Sequence, residues 1–176
     1  MGDLWVFGYG SLMWRPGFAF EAAVPALLHG AHRSLCVYSH VHRGTPERPG
    51  LVLGLDAGGS CRGVAFRVAD GQADETVAYL RAREQVTMIY REAVRPVRLA
   101  DGSRERVAAL TYLVDPTHRQ YAGVLSLEAQ LAHVAESAGQ SGPNRDYVLN
   151  TVAHLEEMGI HDSSLTRIAE RLKNGA

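Results

Sequence analysis

Residues Val6–Met13 read VFGYGSLM, and the change of character inside that string frames the rest of the chain. The apolar run Leu4-Trp5-Val6-Phe7 reads as a short strand that passes at once into Gly8-Tyr9-Gly10-Ser11. Two glycines around an aromatic residue allow positive φ and a close approach of backbone to a ligand. Successive N–H groups in such a turn form a small anion-holding concavity. Met13 breaks any dinucleotide fingerprint after Gly8 and Gly10, and no P-loop lysine is present. Ser11 lacks the G-x-S-x-G elbow because Tyr9 stands where the first glycine belongs, so a covalent serine mechanism is not expected.

Outward from this turn, Phe18–Leu28 is alanine-rich and interrupted by Pro25, and reads as loop. Arg33–His42, RSLCVYSHVH, alternates and is rich in strand formers. Arg43–Gly50, RGTPERPG, is a Pro/Gly loop of the kind that carries binding groups. Leu51–Asp56 and Arg62–Val68 read as a hairpin around Ala57-Gly58-Gly59-Ser60. Gln72–Val86 is the first helix. Strands follow at Ala93–Leu99 and Arg106–Leu113, joined through the tight-turn pair Asp101-Gly102. Pro96 suggests an edge position or a bulge. The last third is helical: Leu127–Ala138 capped by Ser126 and stopped by Gly139, Asn144–Met158 ending at Gly159 with Ile160 after it, and Ser163–Leu172. Strands first and helices later indicate an α+β fold.

The chain of 176 residues carries 18 basic and 19 acidic side chains, a net charge of −1. One domain, residues 1–176, is expected, since about 70% of the unfolded surface is buried near this size. The charge balance argues against a nucleic-acid or membrane-adsorbing surface. No apolar run approaches the ~18 residues that span a bilayer. The opening MGDLWVFGYG lacks a secretory pattern, and Val6 stands where a myristoylation motif wants Ser or Thr. A soluble, cytoplasmic protein is expected. Cys36 and Cys61 lack CxxC spacing and read as core side chains. His40 and His42 share one face of an extended segment near Cys36, but no second spaced cluster completes a metal site, and none is expected.

One side chain conflicts with its surroundings. On a helix, Ala73, Val77 and Leu80 define an apolar stripe, and Glu84 falls on that stripe while Glu75 points away. A carboxylate on the core side is costly unless it is paired or held for chemistry. Arg81, three residues back, or an arginine from another element would satisfy the first alternative, and the residues alone leave both open.

The glycine turn followed by Trp14-Arg15-Pro16-Gly17-Phe18 resembles the opening of the ChaC-type γ-glutamylcyclotransferases. Ala78-Tyr79-Leu80-Arg81-Ala82-Arg83-Glu84 resembles the segment that ends in the catalytic glutamate of that family. His42-Arg43-Gly44 with Pro49-Gly50 and Gly63-Val64-Ala65-Phe66 match it in order. So do Ala109–Tyr112, Gln120–Gly123 and Gly142-Pro143-Asn144-Arg145-Asp146-Tyr147, and the likeness runs over nearly the whole chain. Gln85–Arg91 departs from eukaryotic members, which carry glycines directly after the glutamate.

The resemblance implies a small, mostly antiparallel, barrel-like sheet of about six strands with helices packed around it. It implies cleavage of glutathione into 5-oxoproline and Cys-Gly, with no cofactor, by attack of the glutamyl α-amine on its own γ-carbonyl. Glu84 would be the general base. Transfer of a proton from an α-amine to an unperturbed glutamate costs roughly 5 kcal/mol in water, and burial that lifts a carboxylate toward ~6–7 removes about half of it. The substrate would lie on Val6, Phe7, Gly8, Tyr9, Gly10, Ser11 and Leu12, and the main-chain N–H groups of Gly8–Ser11 would hold either a substrate carboxylate or the oxyanion. Arg43 beside Gly44 is a carboxylate clamp or a solvated loop charge. Tyr9, Tyr112 and Tyr147 line the pocket or fill the core. Cyclisation of other γ-glutamyl amines, and a non-catalytic module on the same fold, are the alternatives.

Overall fold

The computed structural model describes residues 2–175. The chain divides into two compact units, one of residues 2–33 and 55–115, the other of residues 34–54 and 116–175. A closed barrel has strand order β1-β3-β2-β4-β5, and most of its residues belong to the first unit. Its strands are β1 (Leu4–Gly8), β2 (Ala22–Ser39), β3 (Gly50–Val68), β4 (Tyr90–Leu99) and β5 (Arg106–Val114). Strand β1 pairs antiparallel with β3 and parallel with β5, and that parallel pair closes the ring. The expected antiparallel bias and barrel shape hold.

The strand count is five rather than about six, because the anticipated hairpin does not form. Residues Gly50–Val68 make one strand, and Val64–Val68 pair with β1 instead of folding back on Leu51–Asp56. Gly58 and Gly59, at φ 93° and 71°, bend this strand without reversing it. A glycine pair between two apolar runs signals a turn locally, and the barrel's own pairing overrides it. Strand β2 likewise starts at Ala22, inside the segment read as loop, and Ala26–Leu28 pair with Val97–Leu99. Pro96 lies just past the end of that ladder, where β4 needs no N–H on its β2 side.

Helix α1 (Ala73–Glu84) follows a 3-10 turn at Asp70–Gln72. Leu80 and Thr76 are buried on it, Ala73 and Val77 half-buried, and Glu75 is exposed, so the helical phase matches the sequence pattern.

The second unit carries α2 (Leu127–Glu136), α3 (Asn144–Glu157) and α4 (Ser163–Lys173), which pack on one another through Leu131, Val134, Val148, Val152, Leu155, Leu165, Ile168 and Leu172. The Ser126 hydroxyl caps α2 by accepting from the Ala129 N–H at 3.2 Å. Gly159, at φ 71°, ends α3, and the buried Ile160 returns its N–H to the Leu155 carbonyl at 2.8 Å. Gly139 does not stop α2, which ends at Glu136; it belongs to a two-stranded ribbon of β6 (Ala138–Gly139) and β7 (Gly142–Pro143). Among the described residues no helix is long and apolar enough to cross a membrane.

Candidate active site

The glycine turn leaves the end of β1 with its polar groups arranged asymmetrically. Four of the carbonyls along it are occupied. The Phe7 carbonyl accepts from the Thr111 hydroxyl at 3.3 Å, Tyr9 from the Arg33 Nε–H at 2.6 Å, and Gly10 and Ser11 from the Met13 and Arg15 amides at 2.9 and 2.7 Å. The N–H groups of Gly10, Ser11 and Leu12 meet no acceptor among the described residues. A backbone segment with satisfied carbonyls and unspent donors presents a positive edge, which suits an anionic oxygen.

The glycines serve close approach rather than unusual dihedrals. Neither Gly8 nor Gly10 takes positive φ, and the first residue after the turn that does is Gly17, at 77°. A Cβ on Gly8 would stand 3.1 Å from the Leu12 Cβ, and one on Gly63 would press on the Gly8 carbonyl and the Phe7 ring. The expected positive φ is therefore corrected: the turn is tight because small residues on two strands meet there.

Beneath the turn lies Arg33, only 8% exposed, which also donates to the Arg62 carbonyl at 2.7 Å. Its position was open to the same reasoning that singled out Glu84. Period-two alternation puts it on one face with Ala31, Leu35 and Val37, all buried.

Glu84 is the last residue of α1, and its side chain is 17% exposed. Its carboxylate receives no hydrogen bond from the described residues. The Arg83 Nε lies 3.4 Å away. Burial lifts its pKa above the ordinary carboxylate value, and the Arg83 charge pulls it part of the way back. The carboxylate thus keeps an ion pair with Arg83, takes no hydrogen bond from the described residues, stays partly accessible and is more basic than usual.

Arg81 does not pair with Glu84. It forks onto Glu92 of β4, at 2.9 and 2.8 Å, and that ion pair holds the Glu92 carboxyl below its ordinary value. The Tyr112 hydroxyl on β5 donates to the same Glu92 at 3.1 Å. Burial, then the charge of Glu92, raise the Tyr112 pKa; the Glu84 charge adds to this, so it is felt at that hydroxyl.

The structure brings Gly8, Tyr9, Gly10, Ser11, Leu12, Glu84 and Tyr112 together in one unit. Val6 and Phe7 are 0% and 1% exposed, Tyr9 and Leu12 8% and 6%, and Tyr112 2%, so these side chains are chiefly packing. Ser11 is exposed, and its oxygen accepts from Arg83 at 2.9 Å. Arg43, Gly44 and Tyr147 lie in the other unit and cluster there. The Arg43 guanidinium sits 5.5 Å above the Tyr147 ring and donates to the Pro143 carbonyl at 3.3 Å. The Tyr147 hydroxyl accepts from the Leu53 amide at 3.0 Å. Among the described residues no group of three or more His, Cys, Asp or Glu side chains is arranged to hold a metal ion. His42 is engaged with Ser141 at 2.9 Å, and His40 stacks on Tyr38.

The family model described as ChaC-like protein matches residues 4–174. The chain belongs to the ChaC-like family. Among ChaC-like relatives, the glutathione-specific γ-glutamylcyclotransferase of Escherichia coli (strain K12) is 31% identical over 172 residues, covering 98% of this chain and 74% of that protein. Human glutathione-specific γ-glutamylcyclotransferase 1 is 32% identical over 158 residues, covering 89% and 71%. The crystal structure of a yeast γ-glutamyl cyclotransferase specific to glutathione superposes with a TM-score of 0.85 at 24% identity, over 99% of this chain and 97% of that one. The ChaC-like fold is therefore the fold found here.

Proposed function

We propose that this chain is a γ-glutamylcyclotransferase that cleaves glutathione into 5-oxoproline and Cys-Gly, with Glu84 as its base. The observation that carries the reading is the half-buried Glu84 carboxylate, paired only with Arg83 and without a hydrogen bond from the described residues, in the same unit as a backbone turn with three unspent N–H groups. Family membership over residues 4–174 and relatives named for this activity support it. Since that match runs through both units, we read residues 1–176 as one working domain, acting on the reduced glutathione of the cytoplasm.

The reaction needs the glutamyl chain folded so that its α-amine faces its own γ-carbonyl. Holding that near-attack shape is worth up to ~7–11 kcal/mol when fully realised. The amine must give up a proton, and Glu84 accepts it. Nitrogen then attacks carbon, and the carbonyl oxygen takes negative charge against the Gly10–Leu12 donors. As the bond to the cysteine nitrogen breaks, Glu84 returns the proton to that nitrogen. The ring nitrogen, which entered as an ammonium and still carries two hydrogens, passes the second through Glu84 to the departing amine. The 5-oxoproline keeps one N–H, Cys-Gly leaves as its ammonium, and bonds and protons balance without any added reactant.

Val6 and Phe7 contribute to the cradle through main chain, and the Tyr112 hydroxyl, held by Glu92, feels the Glu84 charge and packs the wall of the site. Arg43, with Gly44 and Tyr147, is proposed as an anion-binding pair in its own unit, tested by the effect of Arg43→Ala on KM. The decisive assay follows 5-oxoproline and Cys-Gly release from glutathione by wild type and Glu84→Gln. A panel of other γ-glutamyl amines run beside it would show equal turnover if specificity for glutathione is absent.

A further inference from the structure

Four hydrogen bonds converge on one side chain that neither the fold nor the proton transfer requires. Arg83 donates to the Ser11 hydroxyl at 2.9 Å, to the Arg15 and Pro16 carbonyls at 2.7 and 3.1 Å, and to the Tyr79 hydroxyl at 3.1 Å. We propose that Arg83 is a positioning residue that latches the Ser11–Gly17 segment onto the last turn of α1, fixing the donors of the glycine turn against the Glu84 carboxylate. This rests on the cyclotransferase reading for its catalytic consequence, though the latch itself is a matter of geometry.

The segment needs such a latch. Residues 9–21 lie between β1 and β2 and belong to no ladder, and among the described residues the Arg15 and Pro16 carbonyls find donors only on Arg83. The fit against α1 is close. Gly17 takes φ 77°, and a Cβ there would collide with the Tyr79 hydroxyl and stand 2.7 Å from its ring carbon. The Phe18 ring meets the Tyr79 ring edge-on at 6.4 Å. Arg83 is half-buried, with a side chain 21% exposed, so this is a held geometry rather than a solvated charge.

Two chemical consequences follow. The Ser11 oxygen accepts from Arg83, which leaves its own hydrogen to donate outward beside the N–H groups of Gly10, Ser11 and Leu12. Latch and base are also consecutive residues, so any shift of the α1 terminus moves the turn and the carboxylate together. A lysine would keep the charge near Glu84 but not the planar fork that reaches Ser11 on one side and Arg15 and Pro16 on the other.

The test compares Arg83→Lys, Arg83→Met and Ser11→Ala, reading the pH profile of kcat/KM and amide hydrogen exchange across Ser11–Phe18. The charged group that bears on Glu84 is Arg83 from its own helix; the neutral Tyr112 hydroxyl of β5, which feels the Glu84 charge, is tied to Glu92 and through it to Arg81. Arg83→Lys should lose about 100-fold in kcat/KM, the cost of about 1 Å of misplacement, with its acid limb where wild type has it. Arg83→Met should lose at least as much and move the limb to higher pH. Both should speed exchange over Ser11–Phe18, and Ser11→Ala should cost less in the Lys background than alone. Arg83→Lys with wild-type exchange and kcat/KM within about threefold of wild type would reduce Arg83 to a charge neighbour and overturn the latch. Should wild type release no 5-oxoproline, the cyclotransferase reading fails alone, and the exchange data still decide the latch. Should Arg83→Met not fold, the Lys and Ala variants carry the result.

Discussion

Replacing Glu84 by glutamine removes the proposed proton acceptor and changes almost nothing in shape, so its effect follows from the carboxylate's surroundings. That carboxylate is 17% exposed, receives no hydrogen bond from the described residues, and has one cation at 3.4 Å. A substrate amine titrating near 8 faces a deficit of roughly 5 kcal/mol against an ordinary glutamate, and each unit by which burial lifts Glu84 removes about 1.4 kcal/mol of it. A positioned base contributes about 10²–10⁴-fold, so Glu84→Gln should lower kcat by that factor and leave glutathione affinity nearly unchanged. The same burial has a stability consequence of opposite sign. Because the folded-state pKa is raised, wild type keeps its full stability below the ordinary carboxylate value and loses part of it as pH rises through the folded value. Glu84→Gln, with nothing to ionise, should therefore melt higher than wild type at pH 7, and the two should converge as pH falls below 4. The assay pairs 5-oxoproline release with calorimetric glutathione binding and thermal melts at both pH values. A variant that keeps more than about one tenth of wild-type turnover refutes the base assignment. A variant that melts lower than wild type at neutral pH refutes the account of why Glu84 is basic.

Other perturbations separate packing from chemistry. Gly63→Ala puts a methyl against the Gly8 carbonyl and the Phe7 ring, and should cost about 1–3 kcal/mol in chemical denaturation while also lowering kcat/KM; an unchanged denaturation midpoint would mean the β1–β3 contact relaxes freely. Asn144 is 0% exposed, accepting from the Leu51 N–H and donating to its carbonyl, both at 2.8 Å; Asn144→Ala should lose about 1–3 kcal/mol for each partner left unpaired. Tyr112 has its proton committed to Glu92 and its ionisation pushed up by burial, so it is no acid at neutral pH. Tyr112→Phe should therefore stay within about fivefold of wild-type kcat and lose about 1 kcal/mol of stability, whereas a hundredfold fall in kcat would make that hydroxyl a substrate contact.

The sequence carried the placement of Glu84 further than it carried the sheet, and the reason is where each piece of information resides. Glu84 betrays itself locally: helical periodicity over Ala73–Glu84 puts a charge where Val77 and Leu80 demand an apolar side chain, and the structure leaves it half-buried there. Gly58-Gly59 misled for the opposite reason. A glycine pair between apolar runs is a turn only if the flanking runs prefer each other as partners, and Val64–Val68 prefer β1, sixty residues away in sequence. Ala22–Leu28 was unreadable as strand because its pairing with Val97–Leu99 is likewise non-local. Arg83 belongs to a third class. Its partners at Ser11, Arg15 and Pro16 lie about 70 residues upstream, and no spacing rule on α1 distinguishes it from Arg81, which turns instead to Glu92. Arg33, by contrast, offended the period-two pattern as plainly as Glu84 offended the helical one. A charged side chain that violates the apolar period of its own element stands at both positions, but from the sequence only Glu84 was singled out by that signal. The same signal falls on one residue that donates to the Tyr9 carbonyl and on another whose carboxylate receives no hydrogen bond from the described residues, the two features on which the proposed site rests.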